Sequence, residues 1–393
     1  MGAERIMSKK KQKKSNIQAA QDKAQAAIIE TNNAIGDLGE HTSSLYKSLT
    51  IIQKQFDKIR NIPSEQKLQY EELKKIRLNW KQQVDKIDKD YKKATVKNAG
   101  AAAAGAGMGV AVVTMGPTVA MGIATTFGVA STGTAISTLS GAAATNAALA
   151  WLGGGSLVAG GGGMAAGNAF LAMAGPVGWA IAGVSLLASG LFFWKFKSDK
   201  NRLENVFIAI SERDIKSYEL AIVELKERIS RIIDENNKLT DAIGEIESFG
   251  LDYNKMSEAH HYALGSYVNL MLLSTQLLVN PIQGLLPKFS EKDLDSFMSL
   301  EDRKVNNETF TEHKDFIVFL ANLLYKIELD DRDKKLLWKF LRKNKEMLKS
   351  MNISKKEFSL EIINVILEAL NFKYKIRGNY YECVETRKYD MRM

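Results

Sequence analysis

Four histidines, one cysteine and a short cluster of aspartates are the groups in this 393-residue chain from which catalysis or metal binding would have to be built. His41, His260, His261 and His313 are scattered, and only the middle two are neighbours in sequence. Adjacent residues on a helix face different ways, which suits a shared metal ion poorly. Asp330, Asp331 and Asp333 supply closely spaced carboxylates of the kind used in acid–base work. Standing ahead of an apolar repeat, the same run reads more simply as a solvated helix start. Cys383 stands alone, which excludes a disulfide framework, a thiolate zinc cluster and a CxxC redox pair, and fits a reducing cytosol. No GxxxxGK[ST] loop is present, and the glycine clusters have no lysine beside them to meet a phosphate. These residues support no enzyme and call for no cofactor.

Basic side chains offer two further chemistries. The leader Lys9-Lys10-Lys11-Gln12-Lys13-Lys14 suits anionic headgroups or nucleic-acid phosphates, each lysine adding about 1 kcal/mol near a charged membrane; it reads equally as a solvated tail. Near the other end, Lys373, Tyr374, Lys375 and Arg377 combine rings with cations, as needed to stack and neutralise single-stranded bases or another anion. Aromatic residues of this kind also finish ordinary cores.

The element that organises the rest of the chain has no charge at all. From Asn98 to Trp194 there are 97 consecutive positions without Asp, Glu, Lys or Arg, and 21 of the 29 glycines lie there. Elsewhere charge is abundant, and Met1 to Lys97 alone holds 21 Lys/Arg against 12 Asp/Glu, so the basic half is the front half. A helix of about 20 apolar residues spans the hydrocarbon layer, and Val177 to Trp194 comes close with 18. Trp179 and Trp194 stand near its ends, where indoles favour the interface, and Lys195 and Lys197 follow at once. Ala99 to Met115 is a second candidate span, preceded by Lys93 and Lys97. With both flanks basic, both belong in the cytosol, and the number of crossings is even, two or four.

Small residues recur within the segment, Gly105 with Gly109 and Gly163 with Gly167, and Gly183 and Gly190 lie in the last span. In lipid such faces let helix backbones approach closely enough for dispersion to hold them, which favours homo-oligomers. Glycine and alanine gain little from entering lipid, so a buried core in a soluble protein is the competing reading. The opening MGAERIMSKKKQKK lacks the apolar run and cleavage site of a signal peptide, so export by that route is not expected.

Long helices bracket the centre. Ile28, Ile35, Thr42, Leu49 and Phe56 hold one heptad position, with Thr31, Leu38, Leu45, Ile52 and Ile59 three later. Asn61-Ile62-Pro63-Ser64 ends that helix, and Leu73, Ile76, Trp80, Val84, Ile87 and Tyr91 mark a returning one, which predicts an antiparallel hairpin. After the centre, Ile208, Ile215, Ile222, Ile229, Asn236 and Ile243 repeat, with Tyr218, Leu225, Ile232, Leu239 and Ile246 three later. One polar break among apolar positions is how a register-setting Asn looks, so Ile215, Ile222, Ile229 and Asn236 are candidates for an oligomer seam. Packing against the chain's own N-terminal helices would use the same residues. Leu264 to Leu286, broken at Asn280-Pro281 and containing Asn269 and Gln276, reads as a buried core helix. Amphipathic stretches follow at Ser290 to Leu300, Phe310 to Leu329, Asp333 to Lys349 and Glu357 to Asn371.

The expected fold is all-α: a basic leader (1–15), a coiled-coil hairpin (16–97), a Gly/Ala-rich transmembrane segment (98–194), a second coiled-coil helix (195–250) and a small C-terminal helical domain (251–393).

Ala130 to Gly183, ASTGTAISTLSGAAATNAALAWLGGGSLVAGGGGMAAGNAFLAMAGPVGWAIAG, resembles the glycine-zipper membrane segment of bacterial effector proteins, in particular the channel effectors of Hailong-type anti-phage defence. The resemblance covers about a seventh of the chain. It implies a tetrameric inner-membrane ion channel, held closed by a nucleotide or short single-stranded DNA oligomer from a partner nucleotidyltransferase, and it carries no ligand residues onto this sequence. The resulting expectation is a bacterial inner-membrane pore with both termini cytoplasmic. A soluble helical toxin with a sheltered apolar tongue, and a coiled-coil phage tail component, are the rival readings.

Overall fold

The fold, obtained as a computed structural model, describes residues 2–102, 117–127, 199–286, 288–299, 310, 312–343, 348 and 353–376. These residues are all-α, with one isolated backbone bridge and no strand among them. They fall into two compact units, one drawing on Ile28–Ala148 and Ser217–Leu286, the other on Met1–Ala27, Leu149–Lys216 and Pro287–Met393.

The first unit is built from two helical hairpins. Helix α1 (Gly2–Phe56) and helix α2 (Ser64–Ala102) fold back on each other as the sequence predicts. Both heptad rows of α1 turn inward, with Ile35, Leu38, Thr42, Leu45, Leu49 and Ile52 fully buried. Asn61 takes a left-handed backbone (φ 60°) that asparagine tolerates better than most residues, and Pro63 then leads into α2. The antiparallel register is fixed by Tyr46 on Trp80 (ring centroids 5.4 Å) and Phe56 on Tyr70 (5.8 Å). Tyr70 also donates its hydroxyl to the Asp57 carboxylate.

Helix α4 (Lys200–Ile246) and helix α5 (Glu258–Val279) form the second hairpin; between α2 and α4, helix α3 (Pro117–Phe127) belongs to the same unit. Ser257 caps α5 by accepting from the His260 N–H at 3.3 Å, so the helix begins a turn and a half ahead of the apolar stretch read from Leu264. Its far end is clamped from α4: Arg228 donates to the Leu277 and Asn280 carbonyls at 2.8 Å, and Glu224 accepts from the Gln283 and Gly284 N–H groups at 2.8 and 3.0 Å. The hairpins are tied at one end where the Arg60 N–H donates to Leu251 O (2.9 Å) and the Tyr253 N–H donates to Arg60 O (3.0 Å). Consequently α1 and α4 run parallel, with Lys226 on Glu30 (2.9 Å) and Gln55 donating to Ile243 O (3.1 Å). The product is a four-helix bundle.

The second α4 repeat is satisfied inside this bundle. Tyr218, Leu225, Ile232, Leu239 and Ile246 are buried within the single chain. Of the seam candidates, Ile222 is buried too, while Ile215, Ile229 and Asn236 are half-buried. Within the chain, α1 lies alongside this repeat. The domain boundary also differs from the one read at 250/251: α5 packs on α2 and α3, so the first unit runs to Leu286.

The second unit gathers the first turns of α4 with α6 (Glu291–Met298), α7 (Lys314–Leu324), α8 (Asp331–Lys343) and α9 (Leu360–Asn371), which continues into a π-helical turn at Phe372–Ile376. Its core is aromatic, with Phe207 against Phe340 (5.1 Å) and Phe316 edge-on to Phe358 (4.9 Å). The buried Asn322 amide is fully used: it accepts from the Lys288 and Phe289 N–H groups and donates to the Phe289 and Val318 carbonyls. A buried polar group with all its partners costs little and fixes one arrangement.

Candidate functional site

Helix α3 and the end of α2 (98–102) are the described parts of the uncharged centre, and protein covers the middle of α3. Ala120, Met121, Ile123, Ala124, Thr125 and Thr126 are buried. It crosses α1 at the closest approach available to two helices. A Cβ added at Gly39 would overlap the Thr118 carbonyl and lie 3.1 Å from Gly122 N, and one added at Gly122 would overlap the Ile35 carbonyl. Only glycine at both places allows this backbone contact. The pairing of Gly39 with Thr118 and of Gly122 with Ile35 makes the crossing antiparallel. At the C-terminal end the Ile282 N–H donates to Thr126 O at 2.7 Å. Pro117 starts the helix, proline at the first position losing no intrahelical bond. Of the uncharged run, residues 120–126 are thus covered by α1, α2 and α5.

Near this seat lies a cation that the apolar pattern of α2 conceals. Arg77 is buried at 3% exposure between α1, α2 and α5. It donates to Thr275 Oγ1 at 3.3 Å and to the Gln53 side-chain carbonyl. Burial pushes its guanidinium down to about 10, only partly offset by Tyr46 and Asp57; it stays charged at neutral pH, so the bundle bears the desolvation cost. Replacing a buried charge with an apolar side chain of similar volume is often neutral or stabilising by about 1–4 kcal/mol. Arg77→Met is therefore expected to raise the urea midpoint, by about 1–2 kcal/mol in unfolding free energy; a drop would show that the guanidinium is a net contributor.

Two of the four tail residues singled out as an anion site, Lys373 and Tyr374, are engaged by the chain itself. Lys373 Nζ reaches Asp293 at 2.8 Å and the Lys288 carbonyl at 2.7 Å, and the Tyr374 hydroxyl donates to that same carbonyl. Asp293 completes a capping box with Ser290 at the start of α6. Burial acts to raise its carboxyl pKa, but Lys373 and the Ser290 hydroxyl and N–H outweigh it and hold the group below the ordinary carboxylate range. A carboxyl lowered in the folded state contributes stability above its ordinary titration range, which is lost as pH falls through the depressed value. Asp293→Asn is expected to weaken the second unit by about 1–3 kcal/mol at pH 7 and to flatten the acid limb of its urea midpoint below pH 4. An unchanged acid limb would remove Asp293 as its source.

The remaining residues of interest have structural places. Asp330 accepts from the Arg332 and Asp333 N–H groups at 2.9 and 2.8 Å, capping α8, while Arg202 pairs with Asp330 and Asp333, and Arg332 with Asp199. The helix-start reading of that cluster accounts for its geometry. His260 stacks on Phe249 (4.3 Å) and His261 on Tyr253 (3.9 Å), two different rings. Among the described residues no group of His, Cys, Asp and Glu is arranged to hold a metal. Lys93 and Lys97 lie on α2 and Lys375 in the π-helical turn. Gly105, Gly109, Gly163, Gly167, Gly183, Gly190, Trp179, Trp194, Lys195, Lys197 and Arg377 lie outside the described residues.

Among the described residues a single helical stretch, Glu258–Leu285, is long and apolar enough to cross a membrane by length and composition. In the bundle it is a core helix on one face, with Leu264, Val268, Met271 and Leu278 buried, while Asn269 and Gln276 are exposed. Comparison with known protein families, with curated proteins and with solved structures finds no match to the chain.

Proposed function

We propose that the chain is a membrane-inserted, pore-forming effector in which a cytosolic helical bundle carries an uncharged segment that enters lipid. The observation that carries this reading is the 97-residue run without an ionisable side chain, with lysines at both of its edges. A soluble protein of this composition has no need to exclude charge over such a length, whereas lipid penalises each charged residue at a helix centre by about 2.5–3.5 kcal/mol.

The seat of α3 limits how the segment crosses. If α1, α2 and α3 are cytosolic, the chain leaves the last lysine before the run at Lys97 and is back in the bundle at Pro117. The 19 residues between them extend about 28 Å as a helix, less than half of a round trip through a hydrocarbon core of about 30 Å. Crossings must therefore lie between Phe127 and Lys195, where 67 uncharged positions extend about 100 Å as helix. That accommodates two spans and not four. Two helices cannot enclose a water path, so conduction requires several copies, brought together through Gly163, Gly167, Gly183 and Gly190. The resemblance to defence effectors extends this to an anti-phage role with a nucleotide or oligonucleotide holding the pore closed. The internal pairing of Lys373 and Tyr374 directs the search for that ligand away from them.

The burial of α3 also favours a second reading, a soluble form whose whole apolar centre is sheltered by helices until release. Protease added to inverted inner-membrane vesicles and to spheroplasts separates the two. Two crossings with a cytosolic bundle expose Lys93, Lys97, Lys195 and Lys197 in the inverted vesicles alone. Cleavage at either flank from the spheroplast side would overturn the topology.

A further inference from the structure

Helix α3 is buried over residues 120–126 yet fastened by few polar contacts. The crossing itself is made of small side chains, Gly39 and Gly122 with Ala120 and Ala124 beside it, and Met121 and Ile123 are the two large apolar side chains that docking is seen to bury. It has no charge with which to pair, and among the described residues one backbone hydrogen bond, Ile282 N–H to Thr126 O, fastens its end. Docking also leaves the Thr125 hydroxyl buried without a partner, a cost borne by the docked state.

We propose that α3 is a releasable latch: Pro117–Phe127 occupies the Gly39 crossing in the closed state and leaves it when the pore opens, taking its uncharged length into lipid. The proposal rests on the pore reading above. The face Thr118, Gly122, Thr126 has a small residue at every fourth place, the arrangement by which helices associate in lipid as well as in water. Leaving the bundle for a second copy of the same face therefore requires no new chemistry, and the two states can lie close in free energy, where a modest bias moves the population.

The test places a reversible bond across the latch. In full-length Cys383→Ser protein, Thr126→Cys and Ile282→Cys set two thiols on residues whose backbones are hydrogen-bonded at 2.7 Å. Oxidation with copper–phenanthroline should close the pair. In phosphatidylethanolamine–phosphatidylglycerol vesicles, potassium release by the oxidised protein should fall at least tenfold and return on adding dithiothreitol. If the pair does not close, protease resistance of residues 117–127 in the non-conducting protein takes its place as the readout, and cleavage there overturns the latch. Equal release from oxidised and reduced protein also overturns it while leaving the pore standing. Absence of release from both these forms and the unmodified chain removes the pore, and the latch with it.

Discussion

Leucine at Gly122 is expected to unseat α3 and to cost about 3 kcal/mol or more of bundle stability, the upper range for overpacking a filled interior. Both neighbours of that position are backbone. The new Cβ would overlap the Ile35 carbonyl and lie 3.1 and 3.2 Å from Gly39 N and Cα, tighter than ordinary van der Waals contact. No rotamer change relieves such a clash, so α3 must move as a body. Limited proteolysis should then cut within 117–127 while far-ultraviolet circular dichroism of the long helices is retained. Gly36 supplies the control on the same stretch of α1: nothing lies within 4 Å of a Cβ built there. Gly36→Ala should be stabilising by about 0.5–1 kcal/mol through the helix propensity gained. Equal behaviour of the two variants would show that the crossing is not tight.

A lysine at Leu186 is expected to have the larger effect on function. Leu186 stands at the middle of Val177–Trp194. Exchanging an apolar side chain for a charged one at the centre of a membrane helix costs about 3–4 kcal/mol on the insertion scale, and each 1.4 kcal/mol is tenfold in an equilibrium. Membrane-associated protein and ion release should both fall by two orders of magnitude or more. Lysine at Ser198, beyond the interface, should leave both unchanged. Normal insertion of Leu186→Lys would mean that this stretch is surrounded by protein instead of lipid.

The long elements were legible because periodicity alone decides them. The α1 rows at Ile35, Leu38, Leu45 and Leu49 and the α4 row at Leu225, Ile232 and Leu239 are buried as their spacing requires, and Asn61-Ile62-Pro63 turns the chain where a turn was read. What covers a buried row is a different question. The α4 repeat fits a second subunit and the chain's own α1 equally, and the long-range pairings Lys226–Glu30 and Gln55–Ile243 that set α1 beside it leave no local trace. Arg77 escaped notice because a long, charged side chain is normally a solvated one, and its burial depends on Gln53 and Thr275 from distant parts of the chain. The seat of α3 was hidden for a more basic reason. Glycine, alanine and threonine permit close backbone approach in water and in lipid alike, so Gly122 alone does not say which solvent its helix meets. The matching glycine at position 39, beside the apolar heptad rows of α1, is the signal that could have pointed there.

Alkaline carbonate washing of membranes from cells expressing the chain tests most directly whether lipid receives the segment after α3. The protein should stay in the pellet after the wash and leave it only with detergent, and Leu186→Lys should shift it to the supernatant. Recovery of the unmodified chain in the supernatant, folded and free of detergent, would contradict insertion and establish the sheltered, soluble form in its place.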